Sequence, residues 1–207
     1  PRLSSAASDV YKRQVFDKVR GSGNRLDTSG NGQEQDWSAY FGSFDKNGFT
    51  VTNQTSDLNR NTNKICSWGW KAGGNKNTFN VDDVGYATAA AAGLNSGSIT
   101  PTGASVGTKQ GFSIISYTGT GSAGTLSHGL LKAPDLIIMK GRNFSDDWRV
   151  YHKDLDATEP EDYYLILQSQ NGKSADQNAS FMNDTAPTNT VFSLSLIHIS
   201  EPTRPLE

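Results

Sequence analysis

Short apolar bursts closed by turn-forming residues set the strongest limit on what this chain can fold into. Gly111–Gly119 reads GFSIISYTG, aromatic and β-branched residues packed into a few positions, and it runs into the turn-rich GTGSAG of Gly119–Gly124. Brief runs of this kind between Gly, Ser, Thr and Asn read as strands. The same pattern recurs at Gly48–Asn53 (GFTVTN), Lys64–Ala72 (KICSWGWKA), Asp135–Gly141 (DLIIMKG), Trp148–Leu155 (WRVYHKDL), Asp162–Ser169 (DYYLILQS) and Asn189–Ser193 (NTVFS). The expectation is an all-β chain.

Periodicity sorts these strands. Alternation puts Trp148, Val150 and His152 on one face and Arg149, Tyr151 and Lys153 on the other, a half-buried strand with one wet side. Leu136–Met139 and Leu165–Leu167 are apolar on both faces and are expected at covered, central positions. One-sided and two-sided strands together suit two packed antiparallel sheets. The alanine run in Asp82–Leu94 allows at most a short helix near residues 84–93, with Gly93 placed to end it. The polar stretch NSGSITPTGASVGTKQ that follows reads as a connector.

The two ends carry a relation that folding does not require. Asp9–Gln14 back-translates to a hexamer of codons whose reverse complement encodes Leu194–Ile199, LSLIHI. Both ends resemble translated transposase-based sequencing adapters, and residues 1–14 and 194–207 are therefore set aside from fold reasoning. Between them a faint internal repeat aligns Val15–Lys18 with Val150–Lys153 and Gly48–Thr50 with Val191–Ser193. The expected organisation is the closing part of a first unit at 15–74, a connector at 75–110, and the opening part of a second unit at 111–193. Both units are expected to be incomplete, leaving a sheet edge near Val191.

Charge and cysteine content narrow the function classes. The net charge of −2 provides no basic field for nucleic acid. No apolar run is long enough to span a bilayer as a helix. Cys66, the lone cysteine, excludes an intramolecular disulfide and a cysteine metal cluster. Its large apolar neighbours predict a buried, inert thiol.

The segment from Gly111 to Leu155, followed by YYLILQS and FMNDTAPTNTVFS, resembles a recurrent domain of large structural proteins of tailed phages, notably marine ones. The upstream VFDKVRG, DKNGFTV and SWGWKAGG resemble the closing part of a preceding copy. In SHGLLKAPD the chain departs from the pattern, lacking the second glycine that often follows this turn. The resemblance implies antiparallel β-sandwich units of jelly-roll or lectin-like kind in a virion or tail-fibre protein. It implies assembly with other virion chains, a homo-oligomer in the full protein, and contact with the host surface. It carries no catalytic residue and no cofactor.

Candidate sites have competing readings. Asp154, Asp156 and Glu159 could supply hard oxygen ligands to Ca²⁺, or Asp156 and Glu159 a glycosidase acid pair, or they form a solvated acidic loop. Trp37, Trp148 and Tyr151 offer flat rings for a glycan platform, and Trp68 and Trp70 add to the inventory. The alternative for all of them is packing. Such a platform would make the chain a carbohydrate-binding, lectin-like module instead of a structural one. His128 is expected to hydrogen-bond a turn backbone while Leu126 and Leu130 enter the core. GTGSAG lacks the GK[ST] ending of a phosphate loop and reads as a turn.

Overall fold

In the computed structural model, residues 13–53, 58–62, 64–175 and 181–195 are described. The chain is all-β, with antiparallel sheets and no α-helix among these residues. It opens with β1 (Gln14–Asp17), β2 (Gly21–Asp27) and β3 (Gln35–Asp36), an antiparallel ladder with β1 at its edge. Asp17 closes the β1–β2 turn by accepting the Arg20 N–H at 2.9 Å and pairing with its guanidinium. A hairpin follows, β4 (Phe41–Asp45) and β5 (Gly48–Val51). Asp45 ties its ends by accepting from Thr50 Oγ1 at 2.7 Å and Ser43 Oγ at 2.8 Å. Phe41 is buried between Phe16, stacked at 4.3 Å, and Phe49, stacked at 5.5 Å.

Lys64–Ala72 contradicts its expected strand. It alternates apolar and small residues, yet no partner strand lies alongside it among the described residues. Residues 64–70 are exposed, and Cys66 with them, so the expected buried thiol is corrected.

The expected connector is corrected as well. Residues 75–110 hold β6 (Phe79–Val81), β7 (Val84–Tyr86) and β8 (Pro101–Gly107), and β9 (Phe112–Tyr117) completes a sheet ordered β7-β6-β8-β9. The β6–β8 pair is parallel and the others antiparallel. Inside this sheet Ala104 and Val106 are fully buried, against Phe79, Ala89 and Leu94. Small residues let neighbouring backbone lie on β8: a Cβ at Gly73 would land on the Val106 backbone. The alanine run forms turns rather than a helix. Leu94 N–H reaches Ala89 O and Gly93 N–H reaches Ala90 O, with Gly93 at φ +72°. That pair of bonds is a helix-terminating Schellman motif closing a single turn. Gly93 thus ends a turn, as its position predicted, while Val84–Tyr86 goes to strand.

The last third holds β10 (Gly124–Ser127), β11 (Leu136–Met139), β12 (Arg149–His152), β13 (Tyr163–Ile166), β14 (Ser174–Ala175) and β15 (Val191–Leu194). A 3₁₀ turn at Pro160–Asp162 leads into β13. The sheets are β10-β15 and β11-β12-β13-β14, all antiparallel. Between them lies the main core, with Leu126, Phe181, Met182 and Leu194 almost inaccessible and Ile99, Tyr151 and Phe192 beside them.

Three expectations change here. β11 is an edge strand whose Leu136 and Ile138 are about half exposed, at 52% and 47%, while Ile137 and Met139 face the core. Leu167, just past β13, is exposed at 44%. On β12 the side that carries Tyr151 is not wet, because Ile137 and Met139 join it under β15. The edge forecast near Val191 falls on β15, which pairs residue for residue with β10. Leu194, inside the stretch set aside at 194–207, is the last residue of that ladder. Most of the two stretches set aside, 1–12 and 196–207, lies outside the described residues.

Two ladders in different parts of the chain share one register. Val15 faces Leu26, Arg25 faces Gln35 and Asn24 faces Asp36 in β1-β2-β3. Val150 faces Leu165, Tyr164 faces Ser174 and Tyr163 faces Ala175 in β12-β13-β14. The spacing from β2 into β3 therefore equals that from β13 into β14. The sequence alignment of Gly48–Thr50 with Val191–Ser193 likewise superposes β5 on β15.

Candidate functional site

The first ladder is fastened to the second by backbone and charge. Trp148 Nε1 donates to Asp27 O at 2.9 Å, Glu34 N–H to Arg142 O at 2.7 Å, and Asp146 N–H to Asn31 O at 3.0 Å. The Glu34 carboxylate then takes Arg142 at 2.7 Å and Arg20 at 2.8 Å. Burial alone raises the Glu34 pKa, but the bonds from Arg142 and Arg20 outweigh it and hold the carboxyl below its ordinary range.

This fastening leaves a broad open trough of about 3190 Å³. Phe16, Phe49, Trp70, Phe112, Leu136 and Ile138 are among the residues that line it. Trp70 is 71% exposed and stacks loosely on Phe112, with ring centroids 6.4 Å apart. Tyr117 also lines the trough, its hydroxyl pKa pushed up to about 12 by burial.

The residues expected to form a glycan platform do not form one. Trp148 and Tyr151 are buried, at 6% and 3% exposure. Trp37 is half-buried, and the Arg25 guanidinium lies over its ring at 4.0 Å. The tryptophans that stand exposed are Trp68 and Trp70, on the strandless Lys64–Ala72 segment. Their exposure is invisible in a pattern that reads as a strand.

Nor do the acidic residues converge on a metal. Asp154 pairs with Lys153 at 3.0 Å, and Asp156 with Lys173 at 3.0 Å. Asp156 sits well below the usual carboxylate range because the Thr158 N–H, then Lys173, then the Thr158 hydroxyl bond to it. Glu159 is exposed and lies in the same turn, its N–H 3.5 Å from Asp156. Among the described residues no group of three His, Cys, Asp or Glu side chains has metal-holding geometry. The solvated-loop reading fits this geometry.

His128 is a structural staple. Nδ1 accepts the Leu130 N–H at 3.1 Å, so Nε2 carries the proton and donates to Thr188 O at 3.1 Å. Burial lowers its pKa, with the Thr188 bond opposing, which keeps the ring neutral. Ser127 Oγ is likewise occupied, accepting the Ser96 and Gly97 N–H groups at 3.0 and 3.1 Å. Neither is presented as nucleophile or base. His152, half-buried, accepts the Asp154 N–H at 3.2 Å.

The aromatic set Phe16, Phe41 and Phe49 escaped sequence reasoning, although all three lie in short strands that alternation exposes on one face. The Glu34–Arg142 clasp left no local signal, because its partners are distant in sequence.

No helix among the described residues is long and apolar enough to cross a membrane. No curated protein and no solved structure matches the chain. One family model, described as a domain of unknown function (DUF7483), matches residues 4–201, and by that match the chain belongs to the DUF7483 family.

Proposed function

We propose that this chain is a structural module of a tailed-phage particle, in a tail fibre or similar appendage, and that it acts by assembly rather than by chemistry. The observation that carries the reading is the trough. A small-molecule site occupies about 300–1,000 Å³ with a few convergent polar groups, whereas this concavity is about 3190 Å³ and lined by apolar side chains with charged ones among them, such as Lys18, Lys64, Lys71 and Arg142. Such a surface suits a polypeptide partner. The resemblance of Gly111–Leu155 to phage structural domains supplies the context, and other virion chains, including further copies of this one, are the proposed partners. Mass spectrometry of purified particles from a phage that encodes this chain tests it. Peptides spanning Gly111–Lys140 are expected in intact virions; their absence from particles, with presence in the lysate, overturns the reading.

A carbohydrate-binding role is the second reading, favoured by the exposure of Trp68 and Trp70 at 75% and 71%. Aromatic faces open to solvent are what a sugar ring stacks on. A glycan array decides it: saturable binding that vanishes in Trp68→Ala or Trp70→Ala supports this role, and no binding removes it.

A further inference from the structure

We propose that the outer edge of β1 and the aromatic face beside it receive two strands from the front half of another repeat unit of this same kind, strands equivalent to β10 and β11. This deepens the assembly reading and rests on it for biological context.

The shared register makes β1, β2 and β3 the counterparts of β12, β13 and β14, and the sequence alignment of Gly48–Thr50 with Val191–Ser193 makes β5 the counterpart of β15. The second set is completed by two more strands. β11 pairs with β12, setting Ile137 opposite Tyr151 and Ile138 opposite Val150. β10 pairs with β15, setting Leu126 opposite Phe192 and Gly124 opposite Leu194. Among the described residues the first set has neither strand: β1 is the edge of its sheet, and β5 pairs with β4 alone.

Burial follows the pairing. Phe49 is 45% exposed where its counterpart Phe192 is 7% exposed, and Val15 is 36% exposed where Val150 is 6% exposed. Phe16 is half-buried where Tyr151 is buried, and Val51 is half-buried where Leu194 is fully buried. The uncovered rings line the trough, which is the space two strands would fill. The occupant is therefore specified by what sits on the equivalent face: an apolar strand of the Leu136–Met139 type against β1 and a Gly124–Ser127 type against β5. Strand addition supplies backbone hydrogen bonds along the edge, and alternate side chains fill the aromatic face.

A synthetic peptide spanning Gly124–Gly141, which carries both strands, tests this against the full chain by hydrogen exchange. The expected result is exchange slowed by at least about tenfold at residues 14–17 and 48–51 together. Phe16→Arg is expected to abolish that protection. Because Phe16 stacks on Phe41 and its loss can disturb the fold, Phe49→Ser serves as a second variant; its ring is already half exposed, and it is expected to weaken protection at both strands. Unchanged exchange at these strands on saturating peptide overturns the proposal. So does protection that persists in both variants, or that appears only along β11. Virion content is measured separately, so a virion protein whose β1 edge ignores the peptide sinks this joint and leaves the assembly reading standing.

Discussion

The ladders β1-β2-β3 and β12-β13-β14 are built to one register and end in different environments. In the second, β10, β11 and β15 close over Tyr151, Phe181 and Met182 to make the main core. In the first, Phe41 is buried among neighbouring rings while Phe16 and Phe49 look into an open trough. The contrast separates two things a β sequence encodes. Register is set by turns and alternation within a few residues, whereas burial needs a second layer from elsewhere.

That contrast predicts unequal mutational costs. Phe181→Ala is expected to destabilise by about 3–5 kcal/mol in urea unfolding, as for a buried aromatic. Phe49→Ala, on the uncovered side, is expected to cost less than about 1 kcal/mol. Equal costs would break the comparison.

The staple of the covered half comes next. His128→Leu leaves the Leu130 N–H and Thr188 O without their partner and is expected to cost about 2–3 kcal/mol. His128 has its pKa lowered below the ordinary 6.5. Its contribution is thus complete above pH 6.5 and falls as pH drops through the lowered value. A stability–pH curve should lose that slope in the variant.

The uncovered half depends instead on its clasp. Glu34→Gln removes the charge shared by Arg20 and Arg142 and is expected to cost about 1–2 kcal/mol, discounted for the exposure of Arg142. Glu34 has its pKa lowered below the ordinary 4.5, so its stabilisation holds above that pH and disappears as pH falls through the lowered value. Hydrogen exchange should show the loss in residues 14–36 before the main core responds. The smallest effect is expected at Trp68→Ala, within about 0.5 kcal/mol, because its ring is largely in solvent.

The strands that sequence located are those whose side chains announce burial. Gly48–Val51, Phe112–Tyr117, Leu136–Met139, Arg149–His152 and Tyr163–Ile166 all lie within runs chosen for aromatic and β-branched content. β8 went unseen because Pro101–Gly107 is mostly small residues, the composition of a linker, while its burial comes from backbone packed against it. Lys64–Ala72 erred in the opposite direction: alternation marks a segment able to be a strand, and only a neighbouring backbone makes it one. Edge or centre was equally hidden for Leu136–Met139, since sheet order depends on distant strands. Of the candidate site residues, His128 was legible from its turn. The trough was not, because its walls come from segments about a hundred residues apart.

The contact at Gly73 has a further consequence. Residues 73–107 look permissive on paper, polar and small, the sort of stretch where any substitution ought to be tolerated. Yet a side chain at Gly73 meets the Val106 backbone and one at Gly97 meets the Thr125 carbonyl, neither of which can move aside without opening a sheet. A saturation scan across this stretch should therefore show Gly73 and Gly97 closed to every residue but glycine, although nothing in their local sequence sets them apart.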